Sequence, residues 1–163
     1  MPSYNWTRLG ADLPRGSYLT NHNRVLIIPR ARIEDQGEYV CRARNEKISI
    51  KNSVYLSIQA APNFTVPLED KHMDNHGDLT WICEAFGIPD VTYNWLRNGE
   101  IIDLYNLHPE DRDRYVIQDN VLRIKSLDPE RDEAMYQCEA KNQLKTKYSS
   151  AQLRVLCEYC FRN

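Results

Sequence analysis

Asp132, Ala134, Tyr136 and Cys138 fall at two-residue steps in Asp132-Glu133-Ala134-Met135-Tyr136-Gln137-Cys138, and Asp35, Gly37, Tyr39 and Cys41 repeat the arrangement upstream. Side chains alternate along a strand with a period of two, so each set shares one face of a turn that enters a strand. That face is the buried one. The Tyr ring can fill a corner between two sheets while its hydroxyl bonds back to the turn's backbone, and the Cys two residues on points into the core. In a chain of 163 residues the repeat favours two modules.

Such a corner is the mark of an immunoglobulin-like sandwich. In the second copy, Cys83 and Trp95 precede Cys138 in the order of a strand B cysteine, a strand C tryptophan packed on the bridge, and a strand F cysteine. The competing reading is a pair of ordinary buried thiols in another all-β fold. The first copy has Trp6 in Tyr4-Asn5-Trp6, echoed by Tyr93-Asn94-Trp95, but no cysteine ahead of Cys41. The expectation is therefore an all-β chain of tandem immunoglobulin-like (I-set) β-sandwiches: a partial module over 1–60, truncated at its N-terminus and running from strand C onward, a complete one over 61–156, and a tail over 157–163. A chain that starts inside a module reads as part of a larger ectodomain.

Charge excludes some partners. The 21 Lys and Arg and 23 Asp and Glu are scattered along the chain, with no basic patch interleaved with aromatics, which argues against nucleic acid or an anionic membrane. Met1-Pro2-Ser3-Tyr4 carries neither the basic nor the apolar region of a signal peptide, and no apolar run approaches the roughly 18 residues of a membrane span.

In chain order, residues 4–8 read as strand C, 14–23 as a loop, Val25 to Ile28 as strand E, and Ser53 to Ile58 as a strand G that alternates inward and outward. Gln59-Ala60-Ala61-Pro62 is a short connection that restricts how the modules sit. Pro67 suits an edge strand or a strand switch. Leu79 to Ala85 reads as strand B with Leu79, Trp81, Cys83 and Ala85 on one face, Phe86 to Pro89 as a turn, and Asn98-Gly99 as a hairpin needing positive φ. Residues 104–114 read as a solvated loop, and Glu130 to Glu133 as part of the E to F turn.

Asn5-Trp6-Thr7 and Asn63-Phe64-Thr65 are N-glycosylation sequons, and with a disulfide they support a secretory route. His72 and His76 have the spacing of two imidazoles on a helix face, but a loop there removes the metal reading. His22 and His108 fall in loops without an evident partner. Cys157-Glu158-Tyr159-Cys160 is a C-x-x-C without a second ligand pair, read as a tail that could oxidise internally or pair with Cys41. No nucleophile triad, phosphate cradle or perturbed carboxylate pair is present, so neither an enzyme nor a cofactor or metal site is expected.

Ala61-Pro62-Asn63-Phe64-Thr65, Gly77 to Cys83 with Trp81 ahead of the cysteine, Trp95-Leu96-Arg97-Asn98-Gly99, Met135 to Asn142 and Tyr148 to Leu153 together resemble the contactin family of neuronal and glial adhesion molecules. The resemblance is strongest to insect members and to the end of the third and the whole of the fourth immunoglobulin domain. Trp81 is its most discriminating residue. It implies an extracellular, glycosylated, lipid-anchored parent whose first four domains fold back as a horseshoe, acting at axons or septate junctions with homologous adhesion molecules and neurexin-like and neuroglian-like partners. The alternatives are an intracellular titin-like structural module, whose thiols would stay reduced, and the ectodomain of a cell-surface receptor.

Overall fold

The computed structural model describes residues 1–156. Strands carry the fold, and the chain divides into two units, Met1–Ile58 and a second that begins at Gln59.

The first unit has five strands: β1 (Ser3–Arg8), β2 (Tyr18–Thr20), β3 (Val25–Ile27), β4 (Gly37–Arg44) and β5 (Ser49–Leu56). β1, β4 and β5 form an antiparallel sheet in that order, and β2 and β3 form a separate hairpin. β2 lies in the stretch that reads as loop. Tyr18 and Thr20 are strand formers, and Asn21, His22 and Asn23, all at positive φ, turn the chain straight back into β3. β5 begins earlier than the sequence suggests and is exposed at every position but Leu56. The expected inward-outward alternation is absent, and Tyr39 is the one fully buried hydrophobic side chain described in this unit.

The described residues of the second unit form ten: β6 (Ala60–Val66), β7 (Lys71–Asp74), β8 (Leu79–Ile82), β9 (Glu84–Ile88), β10 (Thr92–Arg97), β11 (Glu100–Ile101), β12 (Tyr115–Gln118), β13 (Val121–Ile124), β14 (Ala134–Lys141) and β15 (Thr146–Leu156). One sheet has the order β11-β10-β14-β15-β7; β12-β13-β8 and β6-β9 form the other side of the sandwich. The chain leaves β6 at Pro67 and re-enters on the opposite sheet as β7, parallel to β15. Proline cannot donate to a ladder, which makes it a natural point to change sheets. Leu79, Leu122, Ile124, Leu127 and Leu153 are essentially solvent-free between the layers, each contributing about 1.5–3 kcal/mol by burial.

Three local expectations change. Phe86 to Ile88 stay within β9, where the Asn142 amide, donating to the carbonyls of Ala60 and Pro89, ties the strand's end to β6. Residues 104–114 are not wholly solvated: Leu104 and Leu107 pack against the core, Pro109–Arg112 form one helical turn, and Arg114 is largely buried. The short Asp103 turn, whose carboxylate accepts from the Tyr105 and Asn106 nitrogens, folds the apolar residues of this polar stretch inward. His72 stands on β7, exposed, and not in a loop. Cys157 and Cys160 lie outside the described residues.

Candidate functional site: the stapled corner and its outward faces

Asp128 caps the helical turn Pro129–Asp132, its side chain accepting from the amides of Glu130 and Arg131. The cap fixes the entry into β14: Asp132 is buried at the end of the turn, and Ala134, Tyr136 and Cys138 alternate into the core along the strand. Tyr136 Oη donates to the Asp132 carbonyl at 2.9 Å, which pins the ring at the corner. The Cys83 and Cys138 sulfurs are bonded, with their Cα atoms 6.6 Å apart. Trp95 stands opposite Cys138 in the β10–β14 register, fully buried, and its Nε1 donates to the Asp119 carbonyl at 3.1 Å. Trp81 lies with its ring 5.3 Å from that of Tyr136, tilted by 54°, and donates to the Glu69 carbonyl at 3.0 Å.

The first unit repeats the register. Trp6 faces Cys41 and Arg8 faces Tyr39, as Trp95 faces Cys138 and Arg97 faces Tyr136. Tyr39 Oη donates to the Asp35 carbonyl at 2.7 Å, and the Arg8 guanidinium donates to the Gln36 carbonyl at 2.8 Å. The burial is not repeated. Trp6 and Cys41 are only half-buried, and among the described residues Cys41 has no disulfide mate and the Trp6 indole N–H no acceptor, where Trp95 has one.

Sequence reading misses a polar cluster under the second corner. Arg114 donates to Asp132 and, at 2.7 Å, to Asp111. Tyr115 Oη donates to Asp132 Oδ1 at 3.0 Å and lies 3.1 Å from Tyr136 Oη. Burial disfavours the phenolate and pushes the Tyr115 hydroxyl far above its ordinary pKa, with the Tyr136 hydroxyl next in effect; burial raises Tyr136 as well. Burial by itself would lower the Arg114 pKa, but the paired carboxylates, Asp132 foremost, raise it overall. The only local hint of this cluster is an Arg placed directly before the first Tyr of β12.

The outward faces are polar and hydrogen-bonded. Glu139 accepts from Asn94 and from Tyr148, each at 2.8 Å, and these bonds hold its carboxyl below the usual range. Asn63 is exposed on β6, where Lys147 Nζ approaches its Oδ1 at 3.5 Å, and Asn5 is exposed on β1 opposite Arg42. His76 is exposed with positive φ, and among the described residues no group of three His, Cys, Asp or Glu could hold a metal ion. Asp132, Tyr115, Tyr136 and Arg114 bond to one another beneath the corner, and the exposed surfaces are sheet faces and loops.

Residues 61–142 match the family described as Immunoglobulin domain. The chain belongs to that family. Within it the sequence is contactin-like: it is 54% identical over 156 residues to contactin of Drosophila melanogaster, covering 96% of this chain and 11% of the relative, and 32% identical to contactin-5 of Danio rerio, covering 96% and 14%. The chain thus spans about a tenth to a seventh of the length of these relatives. Among solved structures it is similar to extracellular domains 3–5 of Drosophila OTK, with a TM-score of 0.69, 27% identity, and coverage of 96% of this chain and 52% of that one. The chain is an immunoglobulin-domain sequence of contactin-like type.

Proposed function

We propose that this contactin-like module serves recognition at neuronal, glial or septate-junction contacts, as part of a lipid-anchored parent protein. Its partners in this reading are homologous adhesion molecules and neurexin-like and neuroglian-like surface proteins. Residues 1–60 and 61–156 correspond to the end of the third and the whole of the fourth immunoglobulin domain, with 157–163 a tail. The observation that carries the reading is similarity to Drosophila contactin along nearly the whole chain, at an identity well above that to the structurally similar proteins. Affinity would come from rigid, preorganised sheet faces and buried anchors, with no chemical step.

The Cys83–Cys138 bridge and the exposed sequons at Asn63 and Asn5 support an oxidising, secretory history. The test has two arms. The chain secreted from insect cells is analysed by non-reducing peptide mass spectrometry, which should show the Cys83–Cys138 peptide and glycan at Asn63. The same protein, clustered on beads, should bind cells displaying a neurexin-like or neuroglian-like ectodomain above control cells. Free thiols and bare sequons would favour a titin-like intracellular module, and a bridged chain that binds neither partner would overturn the partner assignment.

A further inference from the structure

We propose that a glycan on Asn63 has a resting place built into this protein: the exposed ring of Phe86, against which the first N-acetylglucosamine packs. The inference rests on the glycosylation reading above and adds the surface that receives the sugar. Asn63 on β6 stands directly opposite Phe86 on β9. Opposed residues of an antiparallel pair hold their Cβ atoms about 4.5–5.5 Å apart on one face. Which face is settled by the next pair: Phe64 opposes Ala85, and Phe64 packs against the core. Asn63 and Phe86 therefore share the outward side. Phe86 is 55% exposed there, and Val66 of β6 is also open to solvent.

The acceptor atom is free to react. Lys147 donates to Oδ1, and among the described residues no hydrogen bond engages Asn63 Nδ2. Among the described residues β6 pairs with β9 alone, so the sequon lies on an edge strand that an enzyme can reach. In the transfer, Nδ2 forms a bond to the anomeric carbon of a lipid-linked oligosaccharide, the bond from that carbon to diphosphate breaks, the amide gives up a proton, and lipid diphosphate leaves. The attached pyranose presents a face of polarised C–H bonds, and the aromatic ring presents its negative face. Stacking them buries apolar surface on both partners, which an exposed Phe opposite a solvated Asn otherwise leaves in water.

The test is a cycle on the full secreted chain. Thr65→Ala removes the sequon without touching Asn63, and Phe86→Ala removes the ring; Phe86→Leu keeps apolar bulk without an aromatic face and serves if the alanine variant folds poorly. With Phe86 present, loss of the glycan should lower Tm by about 2–4 °C; with Phe86 replaced, that shift should largely vanish. NMR of a carbon-13-labelled glycan should show ring-current-shifted protons on the first sugar and cross-peaks to Phe86. Equal Tm shifts in both backgrounds with no cross-peaks would overturn the contact while leaving glycosylation intact. A bare Asn63 in a chain whose Cys83–Cys138 bridge is formed would overturn the inference and leave the adhesion-module reading standing.

Discussion

Arg114 and Asp132 meet in the interior of the second unit, the guanidinium donating to a carboxylate that is 1% exposed. The same carboxylate accepts from Tyr115 Oη at 3.0 Å and from the Asp128 amide at 2.8 Å. A buried pair is costly to break from one side, because the partner is left charged and uncompensated. Asp132→Ala strands Arg114 and the Tyr115 hydroxyl together. Its expected cost is about 3–5 kcal/mol, read as a drop in urea midpoint at constant slope. A change below about 1 kcal/mol would mean that solvent reaches the cluster and the corner does not depend on the pair.

The bridge between Cys83 and Cys138 closes a loop of 55 residues. Cross-linking a loop restricts the unfolded chain, and removing a native bridge from a small domain costs about 2–5 kcal/mol. Cys83→Ala with Cys138→Ala should lower stability by that amount, as should reductant on the unmodified chain. Chemical denaturation with and without dithiothreitol checks it, and coincident curves would deny the bridge a stabilising role.

The two buried hydroxyls of Tyr115 and Tyr136 set an alkaline limit. Each has a folded pKa raised above its unfolded value by burial, so each holds its proton more tightly in the folded state. Their stabilisation is fully present below the unfolded tyrosine pKa of about 10 and is lost as pH rises beyond it. The urea midpoint should fall above about pH 10, and Tyr115→Phe should flatten that fall. A phenolate absorbance appearing at Tyr115 before any loss of structure would contradict the assignment.

The first unit should open far more readily than the second. Its strand β5 is exposed at all but one position, whereas β14 buries every second side chain from Ala134 to Ala140. Local stability follows buried apolar contact. Hydrogen exchange should therefore find the amides of residues 24–58 at least about 100-fold less protected than those of β14. Equal protection in the two units would show that the first unit holds itself together by means other than its core.

Some of this was open to reading along the chain and some was not. The corner at Asp132 to Cys138 announces itself because Tyr and Cys at a period of two have few other uses, and Trp95 and Cys83 fall in the order such a corner needs. Phe86 read as part of a turn because Gly87 follows it and Pro89 comes two residues after Gly87, yet Gly87 serves a close approach: a Cβ there would meet Val91 Cγ1 at 2.8 Å and the Asn142 amide at 3.0 Å. The strand thus runs on where composition suggests a bend. Arg114 sat in a polar stretch indistinguishable from solvated loop, since nothing local marks which of several Arg will be carried beneath a corner.

Period, spacing and residue type determined the architecture: two corners, one staple and an indole behind it, all set by contacts whose partners repeat at short, regular intervals. The tertiary structure decided which polar groups are buried and which apolar ones are left outside. Arg114 reaches Asp132, and Asn63 comes to lie across from Phe86, only after β12 and β14, or β6 and β9, are brought together. Burial and cross-strand register depend on residues distant in sequence, and a local pattern carries no record of which distant strand arrives.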